Sequence, residues 1–259
     1  MKSPARPLLT RPAVELQHRG VKTPLLLIPG LLCDDAVWAS QTQALSDIAD
    51  ARVINNRAAD RLETLAEAII ARAPPRFALA GHSMGGRIAL EVARRVPERL
   101  MALALLDTGY EAAAPGEAGE REAAGRYALL ATARREGMRA MARIWVRGMV
   151  YPPRLDDAGL IERILDMLER RTPDFFALQI TALLRRPDAA PVFSKVRCPT
   201  LVLCGLEDLW SPPLRHEVIA KRIPGSTLEV IPECGHMSPM ESPEAVTAAF
   251  RRWLQSIEA

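Results

Sequence analysis

Short apolar runs alternate with amphipathic stretches over the first hundred residues. Thr23 to Pro29 (TPLLLIP) is continuously apolar and stops at Pro29-Gly30, the pattern of a strand buried on both faces. Ala51 to Asn55 predicts a second, weaker strand. Leu62, Leu65, Ala66, Ile69 and Ile70 then recur at helical spacing within Leu62 to Ala73, until Pro74-Pro75 stops the helix. Arg76 to Ala80 (RFALA) predicts a strand, Met84 to Val96 a helix ended by Pro97, and Leu100 to Leu106 (LMALALL) another buried strand. Strand and helix in strict alternation imply a parallel sheet with helices on both faces.

The alternation breaks between residues 111 and 188. That stretch is rich in Ala, Arg, Leu, Met and Glu and reads as four helical pieces, roughly 117–136, 137–149, 155–171 and 173–185. Prolines at 152, 153, 173 and 187 separate or bound several of them. Beyond Pro199 the earlier pattern resumes: strand Thr200 to Cys204, helix Pro213 to Arg222, strand Thr227 to Ile231 and helix Pro243 to Ser256. The expected fold is α/β, a mostly parallel central sheet with helices on both faces and one helical insertion. Its core is residues 13–110 and 189–259, and 111–188 the insertion. Residues 1–12 read as a loose tail, and Ala13 to His18 as a short edge strand.

At 259 residues and 49% hydrophobic, the chain is long enough to enclose a buried site in one unit. Its 34 Lys plus Arg nearly balance 31 Asp plus Glu, which argues against a nucleic-acid or membrane-surface partner. Lysine stands only at positions 2, 22, 195 and 221, so the positive charge is almost all arginine; with the abundant Ala, this points to a GC-rich bacterial source. The N-terminal segment lacks an apolar run of signal-peptide length, and no stretch of about 18 apolar residues predicts a membrane span. Cys33, Cys198, Cys204 and Cys234 are widely spaced and form no C-x-x-C pair, the usage of reduced thiols in a cytoplasmic protein. The histidines lie in separate segments, so neither a metal site nor a cofactor is expected. Oligomeric state is not legible.

The chemistry concentrates at Gly81-His82-Ser83-Met84-Gly85-Gly86. This is G-x-S-x-G between a predicted strand and a predicted helix, a sharp turn that lifts a serine hydroxyl above a sheet edge. Small residues two before and two after the serine let strand and helix approach, and the helix aims its free N–H groups at the site. GHSMGG followed by a helix and PERL, with the closing blocks LVLCGLEDLWSPP and LEVIPECGHMSPMESPEAV, resembles the α/β-hydrolase superfamily from about Pro24 to the C-terminus. The insertion is similar to that family's variable helical cap in position and helical character.

A serine needs a base and the base needs an orienting acid. The resemblance places the base at His236, in the loop after TLEVI. His82 should point away from the Ser83 hydroxyl, His18 lies near the N-terminus, and His216 sits in a polar helix segment. The order Ser83, Asp208, His236 and the family pattern G-x-x-D favour Asp208 as the acid over the adjacent Glu207. Asp107 after LALALL is a second candidate, since some relatives carry the acid there, although a structural role suits it better. Two N–H donors should face the developing oxyanion: that of Met84, after the nucleophile, and, by resemblance, that of Leu31. Many relatives have His-Gly where this chain has Pro29-Gly30.

An apolar set, Leu31, Cys33, Trp38, Met84, Trp145, Met149, Phe175, Phe176, Trp210 and Met237, is expected around Ser83, each with plain core packing as its alternative. It suits a small to medium hydrophobic ester. Among 30 arginines no carboxylate clamp can be singled out. Cys33 reads as a packing residue. The resemblance implies an esterase acting through an acyl-enzyme. Serine at 83 argues against the aspartate-dependent dehalogenase and epoxide hydrolase branches. A carbon–carbon bond hydrolase of ring-cleavage products, a lactonase, a thioesterase, a perhydrolase and a non-catalytic small-molecule receptor stay as alternatives. Leu31 counts against the perhydrolase, whose relatives often place an aromatic residue there.

Overall fold

In the computed structural model, which describes residues 22–257, six parallel strands form one sheet. They are β1 (Thr23–Ile28), β2 (Ala49–Val53), β3 (Phe77–His82), β4 (Leu100–Leu106), β5 (Thr200–Gly205) and β6 (Thr227–Ile231). Their order across the sheet is β2-β1-β3-β4-β5-β6. Every residue of β3 and β5 is buried, as expected of strands covered on both faces and written as unbroken apolar runs. The edge strand β2 alternates, with Asp50 and Arg52 exposed. It begins two residues before the expected Ala51, because the ladder with β1 pairs Thr23 with Ala49. The expected strand over 13–18 and the tail over 1–12 lie outside the described residues.

Ten helices surround the sheet among the described residues: α1 (Ala39–Ala44), α2 (Leu62–Ile70), α3 (Met84–Arg95), α4 (Gly116–Glu136), α5 (Met138–Trp145), α6 (Ala158–Glu169), α7 (Pro173–Leu184), α8 (Pro213–Arg222), α9 (Ser238–Glu241) and α10 (Pro243–Gln255). On one face α2 packs on α3, and α3 on β1, β3 and β4; on the other α1 packs on α10, which lies against β5. Sequence reasoning missed α1 and α9. Neither ASQTQA nor SPME carries an apolar repeat, and both form because neighbouring elements hold them. The four helices α4 to α7 make up the insertion between β4 and β5, with α4 against α5 and α7, and α5 against α6. No helix among the described residues is long and apolar enough to cross a membrane.

The chain runs from β1 outward to β2, then returns to lay β3 on the other side of β1. Loops after β1 and β3 therefore leave in opposite directions and open a crevice at the carboxyl edge, where ligands bind in open α/β sheets. Two glycines make the crossing of α3 over these strands possible. A Cβ on Gly85 would lie 2.2 Å from the Ile28 carbonyl oxygen, and one on Gly81 2.2 Å from that of Gly85. Both clashes are with backbone, which cannot swing aside. Gly85→Ala is accordingly expected to lower the melting temperature by about 5 °C or more, the scale of overpacking in a chain of this size. Thermal denaturation by circular dichroism checks this, and an unchanged midpoint would contradict the packing.

Candidate active site

Ser83 stands between β3 and α3 with φ 54° and ψ −117°, in the left-handed half of the map that side chains avoid. Its N–H donates to the Leu106 carbonyl at 2.8 Å, and its own carbonyl accepts from Gly86 N–H at 3.0 Å and Thr108 Oγ1 at 2.7 Å. The hydroxyl is thereby fixed above the sheet edge. Leu32 after β1, Asp107 after β4 and Glu233 after β6 also take positive φ, so the strain gathers at the carboxyl edge.

Three side chains far apart in sequence meet there. Ser83 Oγ lies 2.7 Å from His236 Nε2, and His236 Nδ1 lies 2.8 Å from Asp208 Oδ2. Asp208 Oδ1 accepts from the N–H groups of Trp210 (2.8 Å) and Ser211 (2.9 Å), which fixes the carboxylate. With the Nδ1 proton directed at Asp208, Nε2 is left to accept from the serine hydroxyl. Burial disfavours the imidazolium, but the charge and hydrogen bond of Asp208 outweigh it and raise the His236 pKa above its ordinary 6.5. Burial likewise opposes the Asp208 carboxylate, and attraction to His236 with its hydrogen bonds brings the net shift down.

Glu207 is turned away and accepts from the Cys234 N–H at 2.9 Å. Asp107 does not reach the imidazole with a hydrogen bond. Its Oδ2 accepts from Ser238 Oγ at 2.5 Å and its Oδ1 from Gly205 N–H at 3.2 Å, while burial and then the charge of Asp208 raise its pKa well above the usual range. His82 donates from Nε2 to the His236 carbonyl at 2.8 Å; burial, then His236, drives its pKa down to about 3, so it stays neutral. His216, expected on a polar segment, is fully buried and accepts the Thr108 N–H at 2.9 Å through Nε2. The sequence gives no sign of this, since its helix has only two buried residues.

Beside Ser83 runs the loop after β1. A Cβ on Gly30 would sit 3.2 Å from Ser83 Cβ. Among the described residues the Leu31 N–H has no acceptor, and Met84, the first residue of α3, has none either. Side chains missed by sequence reasoning hold the two loops. Gln179 of α7 accepts the Leu32 N–H at 2.8 Å. The buried Glu241 of α9 accepts from the N–H groups of Gly235 (3.0 Å), Met237 (3.0 Å) and Tyr151 (2.8 Å), and the His236 N–H donates to the Met149 carbonyl at 2.6 Å. The insertion thus braces both the Leu31 loop and the His236 loop.

A cavity of about 550 Å³ lies over Ser83, between the sheet edge and the insertion. Leu31, Cys33, Met84, Trp145, Met149, Phe176, Trp210 and Met237 line it. Trp145 stacks on Trp210 at 5.4 Å, and Trp210 lies 4.9 Å from the His236 ring, forming an aromatic wall. Two expected lining residues are elsewhere. Trp38 is fully buried in the core against Phe250 and His82, at the end of a single 3-10 turn over Asp35–Trp38. Phe175, about 100° round α7 from Phe176, is not among the lining residues and lies under the Arg171 guanidinium. The cavity is also less apolar than expected, since several arginines line it. Cys33 is no rival nucleophile: burial, then the charge of Asp34, pushes its thiol up to about 12. Among the described residues no group of three or more His, Cys, Asp or Glu is placed to hold a metal ion.

The sequence model of the alpha/beta hydrolase family matches residues 40–249. A pimeloyl-[acyl-carrier protein] methyl ester esterase of Neisseria meningitidis serogroup A is 27% identical over 76% of this chain and 62% of its own length. The chain therefore spans less than two thirds of that relative. The protein of the same name from Nitrosomonas europaea is 23% identical over 92% of this chain and 98% of its own. Among solved structures, a malate-bound thermophilic esterase of Thermogutta terrifontis superposes with a TM-score of 0.81 at 30% identity, over 93% of this chain and 92% of that one.

An imidazole must be neutral to accept a proton, so any reaction driven by His236 should fail as pH falls through its raised pKa. The logarithm of kcat/KM is expected to drop with unit slope below an inflection above pH 6.5. Asp208→Asn should move that inflection to lower pH as well as slow the reaction. A wild-type inflection below 6.5 would contradict the assigned pair.

Proposed function

The chain belongs to the alpha/beta hydrolase family, and from that premise we propose that it is a serine esterase acting on small to medium carboxylic esters. The carrying observation is the unbroken relay from Ser83 through His236 to Asp208, at 2.7 and 2.8 Å. Ser83 Oγ attacks the ester carbonyl carbon while His236 Nε2 takes its proton. The tetrahedral oxyanion is held by the N–H groups of Leu31 and Met84, both free of other acceptors among the described residues. As the intermediate collapses, His236 returns the proton to the departing alkoxide and the alcohol leaves. Water then gives a proton to His236 and attacks the acyl carbonyl, and as this second intermediate collapses His236 returns that proton to Ser83 Oγ and the acid leaves.

We read the insertion as a cap that shields this acyl-enzyme and presents the aromatic wall to the substrate. The relatives named as esterases favour a carboxylic ester over a carbon–carbon bond. Four free cysteines, three of them buried, support a reducing compartment such as the cytoplasm.

Ser83→Ala keeps the Cβ and the turn, so it is expected to retain the wild-type melting temperature while turnover of p-nitrophenyl butyrate falls at least about 1,000-fold. A folded Ser83→Ala protein with near wild-type turnover would end this reading. So would a wild type that binds the ester without hydrolysing it.

A further inference from the structure

Part of the cavity lining is cationic. Arg87, Arg121, Arg126, Arg186 and Arg215 line it, with Glu122 among them. Four of these five arginines have carboxylate partners, Arg121 pairing with Glu117 at 3.1 Å. Arg126 and Arg186 both bond Glu122, the latter through two parallel contacts of 2.7 and 2.8 Å, and Arg215 pairs with Glu111 at 3.3 Å. Arg87 has no carboxylate within 4 Å among the described residues. Its one hydrogen bond there runs from Nη1 to the Glu111 carbonyl at 2.9 Å, leaving Nε and Nη2 without acceptors.

Arg87 is four residues after Ser83 on α3, hence one turn along the same helix face, and both line the same cavity. Its Nη2 lies over Gly109, where a Cβ would come within 2.6 Å of it and 3.2 Å of Arg215 Nη1, so two guanidinium groups converge on one spot. Burial, then the like charges of Arg186 and Arg215, bring the Arg87 pKa down to about 9; at neutral pH it is still a cation. A guanidinium with an open edge, crowded by its own kind, is a poor structural element and a good receptor for a planar anion.

Resting on the reading of the cavity as the acyl site of an esterase, we propose that Arg87, flanked by Arg186 and Arg215, binds a carboxylate at the far end of the acyl chain. The substrate class is then a half-ester of a short dicarboxylic acid: the ester carbonyl at Ser83, the free carboxylate at Arg87, and the methylenes between them along the aromatic wall. One open guanidinium matches one negative charge, which favours a carboxylate over a phosphate dianion. A fully esterified or simple fatty ester leaves Arg87 buried beneath it without a partner, the kind of mismatch that discriminates strongly.

The test compares monomethyl adipate with dimethyl adipate, wild type with Arg87→Gln. Wild type should prefer the half-ester by about tenfold or more in kcat/KM, and Arg87→Gln should reduce that ratio by about tenfold or more, mainly through KM. Using the ratio cancels any general loss of activity. A wild-type preference for the diester, or a ratio unmoved by the substitution, overturns the proposal while leaving the esterase standing on the diester turnover. Calorimetric titration with adipate needs no turnover and so separates the anion site from the esterase reading. Its Kd should weaken about tenfold or more in Arg87→Gln, and equal affinities, or no binding to wild type, would overturn the site. Should Arg87→Gln fail to fold, Arg87→Lys, which keeps the charge but loses the fork, should give a smaller loss in both ratio and affinity; wild-type values there would equally overturn it.

Discussion

The Ser83 backbone rests at φ 54°, a conformation that costs on the order of 1–3 kcal/mol for a residue with a side chain. Hydrogen bonds from its N–H and to its carbonyl, each contributing roughly 0.5–1.5 kcal/mol, offset that cost and hold the backbone that carries the hydroxyl. The bonds in turn require α3 to begin almost in contact with β1, which only glycine at 81 and 85 permits. From this one turn follow a half-buried serine hydroxyl facing the cavity, a Met84 N–H without an acceptor among the described residues, and the position of Arg87 one turn further along. The fold around it is a device for keeping a strained residue strained.

The remaining parts are brought to that turn by loops, and loops need bracing. Glu241 gathers three N–H groups from the His236 loop and from Tyr151 of the insertion, and Gln179 of α7 holds the Leu32 N–H. The insertion is therefore part of the scaffold of the site as well as its roof. A buried carboxylate such as Glu241 is tolerable because three donors surround it, although burial still raises its pKa. Behind the relay, Asp107, Ser238, His82 and His216 form a second layer of buried polar groups that fix backbone rather than carry protons.

Much of this was legible in the sequence where the signal is local. The buried strands β1, β3, β4 and β5 are nearly pure apolar runs, and the serine turn is spelled in five consecutive residues. Legibility failed where tertiary contacts decide. β2 starts at Ala49 because of its pairing, and α1 and α9 lack an apolar repeat. Trp38 and Phe175 look the same in sequence as Trp145 and Phe176, yet only the latter pair reach the cavity, because side-chain direction depends on how each helix is rolled. Arg87 is one of 30 arginines. Nothing in its neighbours distinguishes it, and only three-dimensional pairing reveals that it has no carboxylate of its own among the described residues.

In the proposed mechanism Ser83 is nucleophilic because His236 takes its proton. The most direct measurement is covalent labelling of the native protein with an alkyl fluorophosphonate, followed by peptide mass spectrometry. One adduct per chain is predicted, on the peptide containing Ser83, and it should form far more slowly in His236→Ala. A label on any other residue, or labelling of Ser83 at an equal rate without the imidazole, would overturn the mechanism.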